Sequence, residues 1–220
     1  MLQSTTLSFL SDLKKNNNKP WFDTNRKRYE SAKADFIILV DELIQEISRF
    51  DPSIAHLQAK ECVFRINRDV RFSKNKDPYK TNMGASITSG GRKVNQPGYY
   101  IHCEPGGCFA AGGFYMPEPA DLAKIRQEID YSWAEFYKLI QHREFKKYFP
   151  EGVNSWETLT RPPKGYEAEN PAIHYLKMKG FIVSSPLADD SLLKKQTVRD
   201  LGKIYAAMKP LLDFLQTAIS

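Results

Sequence analysis

The stretch YYIHCEPGGCFAAGGFY, residues 99–115, decides the fold, because it contains two strands and the tight turn that joins them. Side chains in residues 99–104 alternate between two faces, which is the period of a half-buried strand. Residues 104–107, Glu-Pro-Gly-Gly, place proline and glycine at the second and third positions of a type II turn. Residues 109–115 then form the returning strand, so an antiparallel pair is predicted here.

Two further strands are predicted before this pair. The segment from Glu61 to Asn67 alternates in the same way, with Cys62, Phe64 and Ile66 on one side and a break or bulge near its end. A strand from Thr81 to Thr88 follows and leads into the turn at Ser89-Gly90-Gly91. Four strands in chain order predict an antiparallel meander.

Helical periodicity flanks the predicted sheet on both sides. Ser4 or Thr5 is expected to cap a first helix, and a second helix is expected from Pro20 to about Arg49. After the sheet, Asp189 or Ser191 is expected to cap a closing helix with an apolar stripe that reaches the end of the chain. Helices from both ends of the chain are therefore available to cover the sheet.

These elements together predict one α+β domain, residues 1–220, with a β-meander of about four or more strands packed with N-terminal and C-terminal helices. Gly112 and Gly113 lie inside the last strand and predict a bulge or a close approach by another group. They lack the Lys-Ser/Thr and the helix that a phosphate loop needs, and no dinucleotide fingerprint is present.

The composition narrows the class of protein and its compartment. The net charge of +6 and the pI near 9.1 favour weak attraction to polyanions. The three cysteines, Cys62, Cys103 and Cys108, are odd in number and form no pair pattern, which favours a reducing compartment. The N-terminus lacks the pattern of a secretory signal and no apolar run is long enough to span a membrane. A cytoplasmic location is expected.

The candidate site is centred on residues 64–80, FRINRDVRFSKNKDPYK, which carry six basic side chains and two acidic ones. Arginine binds phosphate or carboxylate bidentately, so three arginines around Asp69 suit the recognition of an anion. The alternative is an internal network of ion pairs that only fixes a loop. Arg68 and Asp69 are expected to fix the loop, whereas Arg65, Arg71 and Lys80 are freer to meet an anion.

His102 lies on the same face of its predicted strand as Tyr100 and Glu104, which is typical of a polar cleft wall. His102 or Asp69 would carry the proton if the protein were an enzyme, but no sequence feature requires catalysis. No metal site and no cofactor are expected, because no second histidine lies at ligand spacing. The predicted ligand-binding residues are Arg65, Arg68, Asp69, Arg71, Lys76, Tyr79, Lys80, Tyr100 and His102.

Several words of the sequence carry a family resemblance. They are NNNKPWFDTNRKRYE, FRINRDVRFSKNKDPYKTN, GYYIHCEPGG and GGFYMPEP. The chain resembles, over nearly its whole length, bacterial proteins of unknown function catalogued as domain of unknown function 2461. The resemblance implies a bacterial α+β protein of one domain, and it implies no activity, cofactor or substrate.

Three functions remain open from the sequence. A small anionic ligand, bearing phosphate or carboxylate, is the first hypothesis. The second is a nucleic-acid-binding module that combines basic and aromatic side chains. The third is a structural or interaction protein in which the arginines only fix a loop. No membrane partner is expected, and the sequence does not determine the oligomeric state.

Overall fold

The computed structural model describes all residues, 1–220, and contains one antiparallel sheet of four strands in the order β1-β2-β3-β4. The strands are β1 (Met83–Ile87), β2 (Gly98–Cys103), β3 (Cys108–Phe114) and β4 (Phe181–Leu187). The turn between β2 and β3 is the predicted one: Gly106 has φ of 77° and the Gly107 N–H donates to the Glu104 carbonyl at 2.8 Å.

The chain also contains ten α-helices. They are α1 (Ser4–Lys15), α2 (Lys19–Thr24), α3 (Arg26–Ile47), α4 (Ala59–Cys62), α5 (Pro119–Tyr131), α6 (Trp133–Gln141), α7 (Arg143–Tyr148), α8 (Ile173–Leu176), α9 (Asp189–Leu192) and α10 (Thr197–Ile219). Short 3₁₀ turns occupy Pro52–Ile54 and Gly91–Lys93. No helix is both long and apolar enough to cross a membrane.

The helices cover one face of the sheet. α10 packs on β3 and on α3, and α3 also contacts β1. Along β2, the side chains of Tyr99, Ile101 and Cys103 are buried under these helices, whereas Tyr100 and His102 point to the other face and are half-buried. The prediction of an α+β fold, with an antiparallel sheet packed against helices from both ends of the chain, is confirmed.

The predicted first strand, Glu61–Asn67, is wrong. Its start belongs to α4, and the rest pairs with the sheet only through an isolated bridge from Val63 to Ala85. A second bridge, from Asn67 to Tyr79, joins two segments outside the sheet. The alternating pattern arises because this segment runs beside β1 over a short distance. There the Phe64 N–H donates to the Gly84 carbonyl at 2.9 Å, and the chain then turns away from the sheet.

The fourth strand of the sheet is β4, which the sequence did not indicate. Its sequence, FIVSSPL, contains Pro186 and two serines, so it lacks the long apolar run of a central strand. Proline is tolerated because β4 pairs with β3 on one side and lies at the edge of the sheet.

Two helix boundaries also differ from expectation. The helix expected from Pro20 to Arg49 is broken at Asn25, which lies between α2 and α3. The side-chain amide of Asn25 donates to the Trp21 carbonyl at 3.0 Å and so competes with the helical backbone bond to that oxygen. The closing helix begins only at Thr197, after the short α9.

The expected caps are wrong as well. Gln3, not Ser4 or Thr5, occupies the N-cap of α1, and neither Asp189 nor Ser191 caps the closing helix, because Gln196 does.

The close approach predicted at the paired glycines is confirmed at both residues, from α10 at Gly112 and from the neighbouring strand β4 at Gly113. A Cβ on Gly112 would lie 2.2 Å from the Met208 Sδ of α10. A Cβ on Gly113 would lie 2.0 Å from the Phe181 carbonyl oxygen of β4. The two glycines therefore set how closely the last helix and the last strand pack on β3.

Candidate functional site

A cleft lies on the face of the sheet that the helices leave uncovered, and we name it the open-face cleft. It encloses about 680 Å³ and is lined by 19 residues from β1, β2, β3, β4 and the segments around them. This volume is within the usual range for small-molecule sites, about 300–1,000 Å³. The cleft is thus large enough for a small ligand.

The cleft exists because the floor of this face carries small side chains. The floor residues are Ser86, Gly98, Ala111 and Gly113. Gly84, at the β1 end, leaves room for a larger neighbour: a Cβ there would lie 2.5 Å from the Tyr100 hydroxyl oxygen. Glycine at this position therefore lets the Tyr100 hydroxyl lie directly over β1.

All formal charges that line the open-face cleft are positive. Lys80, Arg92 and Lys93 line it, and no Asp or Glu does. Arg92 is held by the carbonyl oxygens of Lys60 and Glu61, at 3.0 and 2.6 Å from Nη1, so no carboxylate neutralises it. The cleft therefore presents a positive field to a ligand.

Among the cations of the cleft, Lys80 is the one whose charged form would gain most from a bound anion. Its ammonium lies 5.3 Å from the centre of the Phe64 ring. Partial burial lowers the pKa of Lys80, and the positive charge of Arg65 lowers it further. A half-buried ammonium beside a second cation is stabilised by any anion that enters the cleft.

The polar wall of the cleft consists of Tyr100 and His102, which are hydrogen-bonded to each other, and His102 is linked to Glu104 behind the wall, outside the cleft lining. The Tyr100 hydroxyl lies 3.0 Å from His102 Nδ1, and His102 Nε2 lies 3.4 Å from Glu104 Oε2. The imidazole also stacks on Phe109, with ring centres 4.6 Å apart. Burial lowers the pKa of His102, and the Glu104 carboxylate only partly offsets this, so the ring is held neutral.

Glu104 is held in turn by Thr81, just before β1, and by Lys14 of α1. Thr81 donates to Oε1 at 2.9 Å, and the Lys14 ammonium lies 3.5 Å from the same oxygen. Partial burial raises the pKa of Glu104, but the hydrogen bonds from Thr81 and His102 and the Lys14 charge together lower it below its ordinary value. Glu104 is therefore ionised and accepts the imidazole N–H.

The structure brings three of the nine predicted site residues into the cleft: Lys80, Tyr100 and His102. Arg65 lies beside them, since its charge acts on Lys80. Tyr79 is buried and stacks on Phe22, with ring centres 3.9 Å apart, so it belongs to the core.

The other four predicted residues lie in a protruding loop, residues 68–78. Its neck is closed by the bonds from the Arg68 N–H to the Pro78 carbonyl and from the Lys80 N–H to the Ile66 carbonyl, at 2.9 and 2.8 Å. Inside the loop, Asp69 binds the Arg71 guanidinium in a bidentate pair, and Lys76 Nζ donates to the Val70 carbonyl.

Arg68 fixes the loop, but through other partners than expected. Its guanidinium donates to the Asp77 carbonyl at 3.2 Å and to the Ser73 hydroxyl at 3.3 Å, while Asp69 pairs with Arg71 instead. A carbonyl and a hydroxyl leave the positive charge of Arg68 formally unneutralised.

We expect Arg68→Ala to loosen this loop at a cost of about 1 kcal/mol in the local opening free energy, because two hydrogen bonds are lost. Tryptic cleavage after Lys74 or Lys76 should become faster. Arg71→Ala is the control, since it removes an ion pair whose arginine side chain is 76% exposed. Equal cleavage rates in the two variants would contradict the role given to Arg68.

Two cationic residues of the cleft were missed from the sequence. Arg92 and Lys93 directly follow Gly90-Gly91, which the sequence indicates only as a turn. The sequence feature that could have indicated them is a pair of basic residues directly after a tight turn between two strands. The side chains of such a turn lie at one edge of the sheet.

A second cleft, of about 580 Å³, lies between α5, α6, α7 and α10. Its lining includes the carboxylates of Glu128, Glu135 and Asp213, so it does not share the uniform positive charge of the open-face cleft. No group of three or more His, Cys, Asp or Glu side chains is arranged to hold a metal ion.

The neutral state of His102 predicts a pH dependence of folding. Because burial lowers its pKa in the folded protein, the unfolded chain binds a proton first as the pH falls below 6.5. The free energy of unfolding should therefore fall from pH 6.5 down to the lowered pKa of His102, and this contribution should then level off. His102→Phe should remove that slope, whereas His142→Gln, at an exposed position, should retain it in urea titrations at each pH.

The fold and the open-face cleft define an α+β protein with helices on one face of a four-stranded sheet and a basic cleft on the other. The sequence matches the family described as conserved hypothetical protein (DUF2461) over residues 5–214, and the protein belongs to that family. The resemblance found in the sequence is confirmed. Comparisons with curated proteins and with solved structures each gave no match.

Proposed function

We propose that this protein binds a small anionic ligand, bearing phosphate or carboxylate, in the open-face cleft. The observation that carries the proposal is the charge of the lining: Lys80, Arg92 and Lys93 face a cavity of about 680 Å³ without a single carboxylate. Buried or half-buried cations are stabilised by a bound counter-charge, and this site lacks one of its own.

The shape of the site supports a small molecule. Phe64, Tyr100 and Phe109 add aromatic surface to the cleft beside the small floor residues. Ligand sites commonly combine such apolar walls with a few fixed polar groups. The three free cysteines support a reducing, cytoplasmic setting for this binding.

Reversing two cleft charges tests the proposal. Lys80→Glu with Lys93→Glu should weaken the binding of inorganic phosphate and of citrate by about tenfold or more per lysine, because each lost charge-assisted contact is worth about 1.5–3 kcal/mol. Binding can be followed by isothermal titration or by the NMR shifts of cleft residues.

The matched control is Lys74→Glu with Lys76→Glu, which changes the net charge equally but lies in the 68–78 loop. This control should retain the affinity for both anions apart from a small general loss. If the two double variants lost affinity equally, the effect would come from net charge and the cleft would not be the site.

The tip of the 68–78 loop supports nucleic-acid binding as a second candidate function. Phe72 is 95% exposed there, with the Arg71 guanidinium 5.8 Å from its ring centre and Lys74 and Lys76 nearby in the chain. Exposed aromatic rings between cations are typical of single-strand binding. Mixed-sequence oligonucleotides should then bind with a steep loss of affinity as salt increases, and Lys74→Glu with Lys76→Glu should abolish binding. No binding at low salt would exclude this function.

A further inference from the structure

The hydrogen-bonded wall of the open-face cleft has a defined proton arrangement. Glu104 is ionised and accepts, so the proton of the His102 ring is on Nε2, which faces Glu104 Oε2 at 3.4 Å. Nδ1 of the neutral ring is then an acceptor. Its single lone pair accepts from the nearer donor, the Tyr100 hydroxyl, at 3.0 Å, while the Asn82 amide nitrogen lies further away, at 3.3 Å.

The proton of the Tyr100 hydroxyl is therefore already used. Its oxygen keeps free lone pairs, so toward the cleft Tyr100 accepts a hydrogen bond and does not donate one. Burial raises the pKa of Tyr100 to about 12, so the hydroxyl stays protonated at neutral pH. To donate to a ligand, Tyr100 would have to break its bond to His102.

This acceptor lies in the same corner as a cleft cation. The Tyr100 ring centre is 6.4 Å from that of Phe64, and the Lys80 ammonium is 5.3 Å from the Phe64 ring centre. Lys80 and Tyr100 therefore both lie next to Phe64 and both line the cleft. One anion seated against the Phe64 ring would have a positive donor, Lys80, and a neutral acceptor, Tyr100, beside it.

We propose that the open-face cleft selects an anion that itself carries a proton, such as hydrogen phosphate or the monoanion of a phosphate monoester, over the fully deprotonated sulfate. The proton of the phosphate donates to the Tyr100 oxygen, while its other oxygens accept from Lys80 and from Arg92 or Lys93. Sulfate places a bare oxygen against the Tyr100 oxygen, and two acceptors repel. This selectivity rests on the proposed function, since it needs a bound anion.

The charges of the two ions distinguish the proposed hydrogen bond from simple Coulombic attraction. At about pH 6 inorganic phosphate and phosphate monoesters carry less negative charge than sulfate, because their second proton leaves only near this pH. Coulombic attraction to the three cations alone therefore predicts that sulfate binds more tightly. A preference for phosphate has to come from the acceptor.

The experiment titrates the protein with inorganic phosphate, phenyl phosphate and sulfate at about pH 6 and constant ionic strength, followed by NMR shifts of cleft residues. We expect phosphate and phenyl phosphate to bind about tenfold more tightly than sulfate, as expected for one well-placed hydrogen bond to an ion. Preference for phenyl phosphate over inorganic phosphate would indicate a monoester as the natural source.

Two variants identify the acceptor. Tyr100→Phe removes both the acceptor for phosphate and the repulsion of sulfate, so it should weaken phosphate binding, strengthen sulfate binding and abolish the preference for phosphate. His102→Phe frees the Tyr100 hydroxyl to donate, so it should raise sulfate affinity and remove the preference. Tyr115→Phe, at a tyrosine of the same cleft that is 58% exposed, should keep the preference and is the control.

The outcomes separate the two proposals. If neither ion binds the wild-type protein, the proposed function itself fails. If both bind with equal affinity, or sulfate binds more tightly, the selectivity is overturned and anion binding stands. A phosphate preference that survives in both Tyr100→Phe and His102→Phe would also overturn it.

Discussion

Gly113→Ala is expected to lower the free energy of unfolding by about 3 kcal/mol or more, the largest effect of any glycine substitution in the sheet. Gly113 has φ of +130°, a backbone conformation that residues with a Cβ rarely adopt. The new Cβ would also lie 2.0 Å from the Phe181 carbonyl oxygen and 2.8 Å from the Ile182 Cα. Both atoms are backbone, so relief requires β4 to move away from β3.

Gly107→Ala is the matched control for this prediction, because Gly107 lies in the turn that leads into β3 and nothing comes closer than 4.0 Å to its added Cβ. Urea unfolding of the two variants, with and without a saturating anion, measures the difference. A loss of less than about 1 kcal/mol for Gly113→Ala would mean that the contact between β3 and β4 adapts, against the close packing described above.

Asp51→Ala is expected to cost about 3 kcal/mol of unfolding free energy, because it leaves a buried hydroxyl without a partner. The Tyr99 hydroxyl, on the helix-covered face of β2, donates to Asp51 Oδ2 at 2.8 Å, and Tyr99 is 2% exposed. Asp51 also accepts from the backbone N–H and the hydroxyl of Ser53, at 3.2 and 2.6 Å. Burial raises the pKa of Tyr99, and the Asp51 charge raises it further, so the phenol always donates.

Tyr99→Phe should cost less than Asp51→Ala but more than Tyr205→Phe, which is the matched control. Tyr205 lies in the same core, with its ring centre 5.4 Å from that of Tyr99, and its hydroxyl donates to the neutral Tyr100 carbonyl at 3.1 Å. Hydrogen bonds to charged groups are worth about 1.5–3 kcal/mol and neutral ones about 1 kcal/mol. A double-mutant cycle of Asp51→Ala with Tyr99→Phe should show strong coupling, and additive losses would contradict the contact.

The sequence predicted the structure correctly where a short segment contains all the residues that pair with one another. The stretch 99–115 contains both its strands and its turn, so its structure follows from alternation and from the proline and glycines of the turn. By contrast, the sequence does not show which of the segments 61–67 and 181–187 forms a strand of the sheet, because each pairs with residues that are distant in the chain. Alternation predicts a strand at 61–67, and no pattern in the sequence indicated one at 181–187, yet tertiary pairing places the strand at 181–187.

The candidate site was predicted in part for the same reason. Tyr100 and His102 were found because strand alternation fixes which face they share, and Lys80 because it ends a basic run next to β1. Arg92 and Lys93 were not found, since only the folded sheet brings the turn after Thr88 over the face of β2. The arginines of residues 68–71 looked central because their charges are dense in sequence, but the closed neck of their loop carries them away from the cleft.

The sheet places core residues and residues of the open-face cleft at alternate positions of the same strands. Side chains such as Ile101 support the packed interior, while Tyr100, His102 and Phe109 on the opposite face contribute to the cleft and touch few of the groups that hold the helices. Most side chains of the open face can therefore be replaced with little loss of stability, and the exceptions are the glycines whose added Cβ would clash. The shape and charge of the cleft can thus be varied on one scaffold through a few residues of a single sheet face.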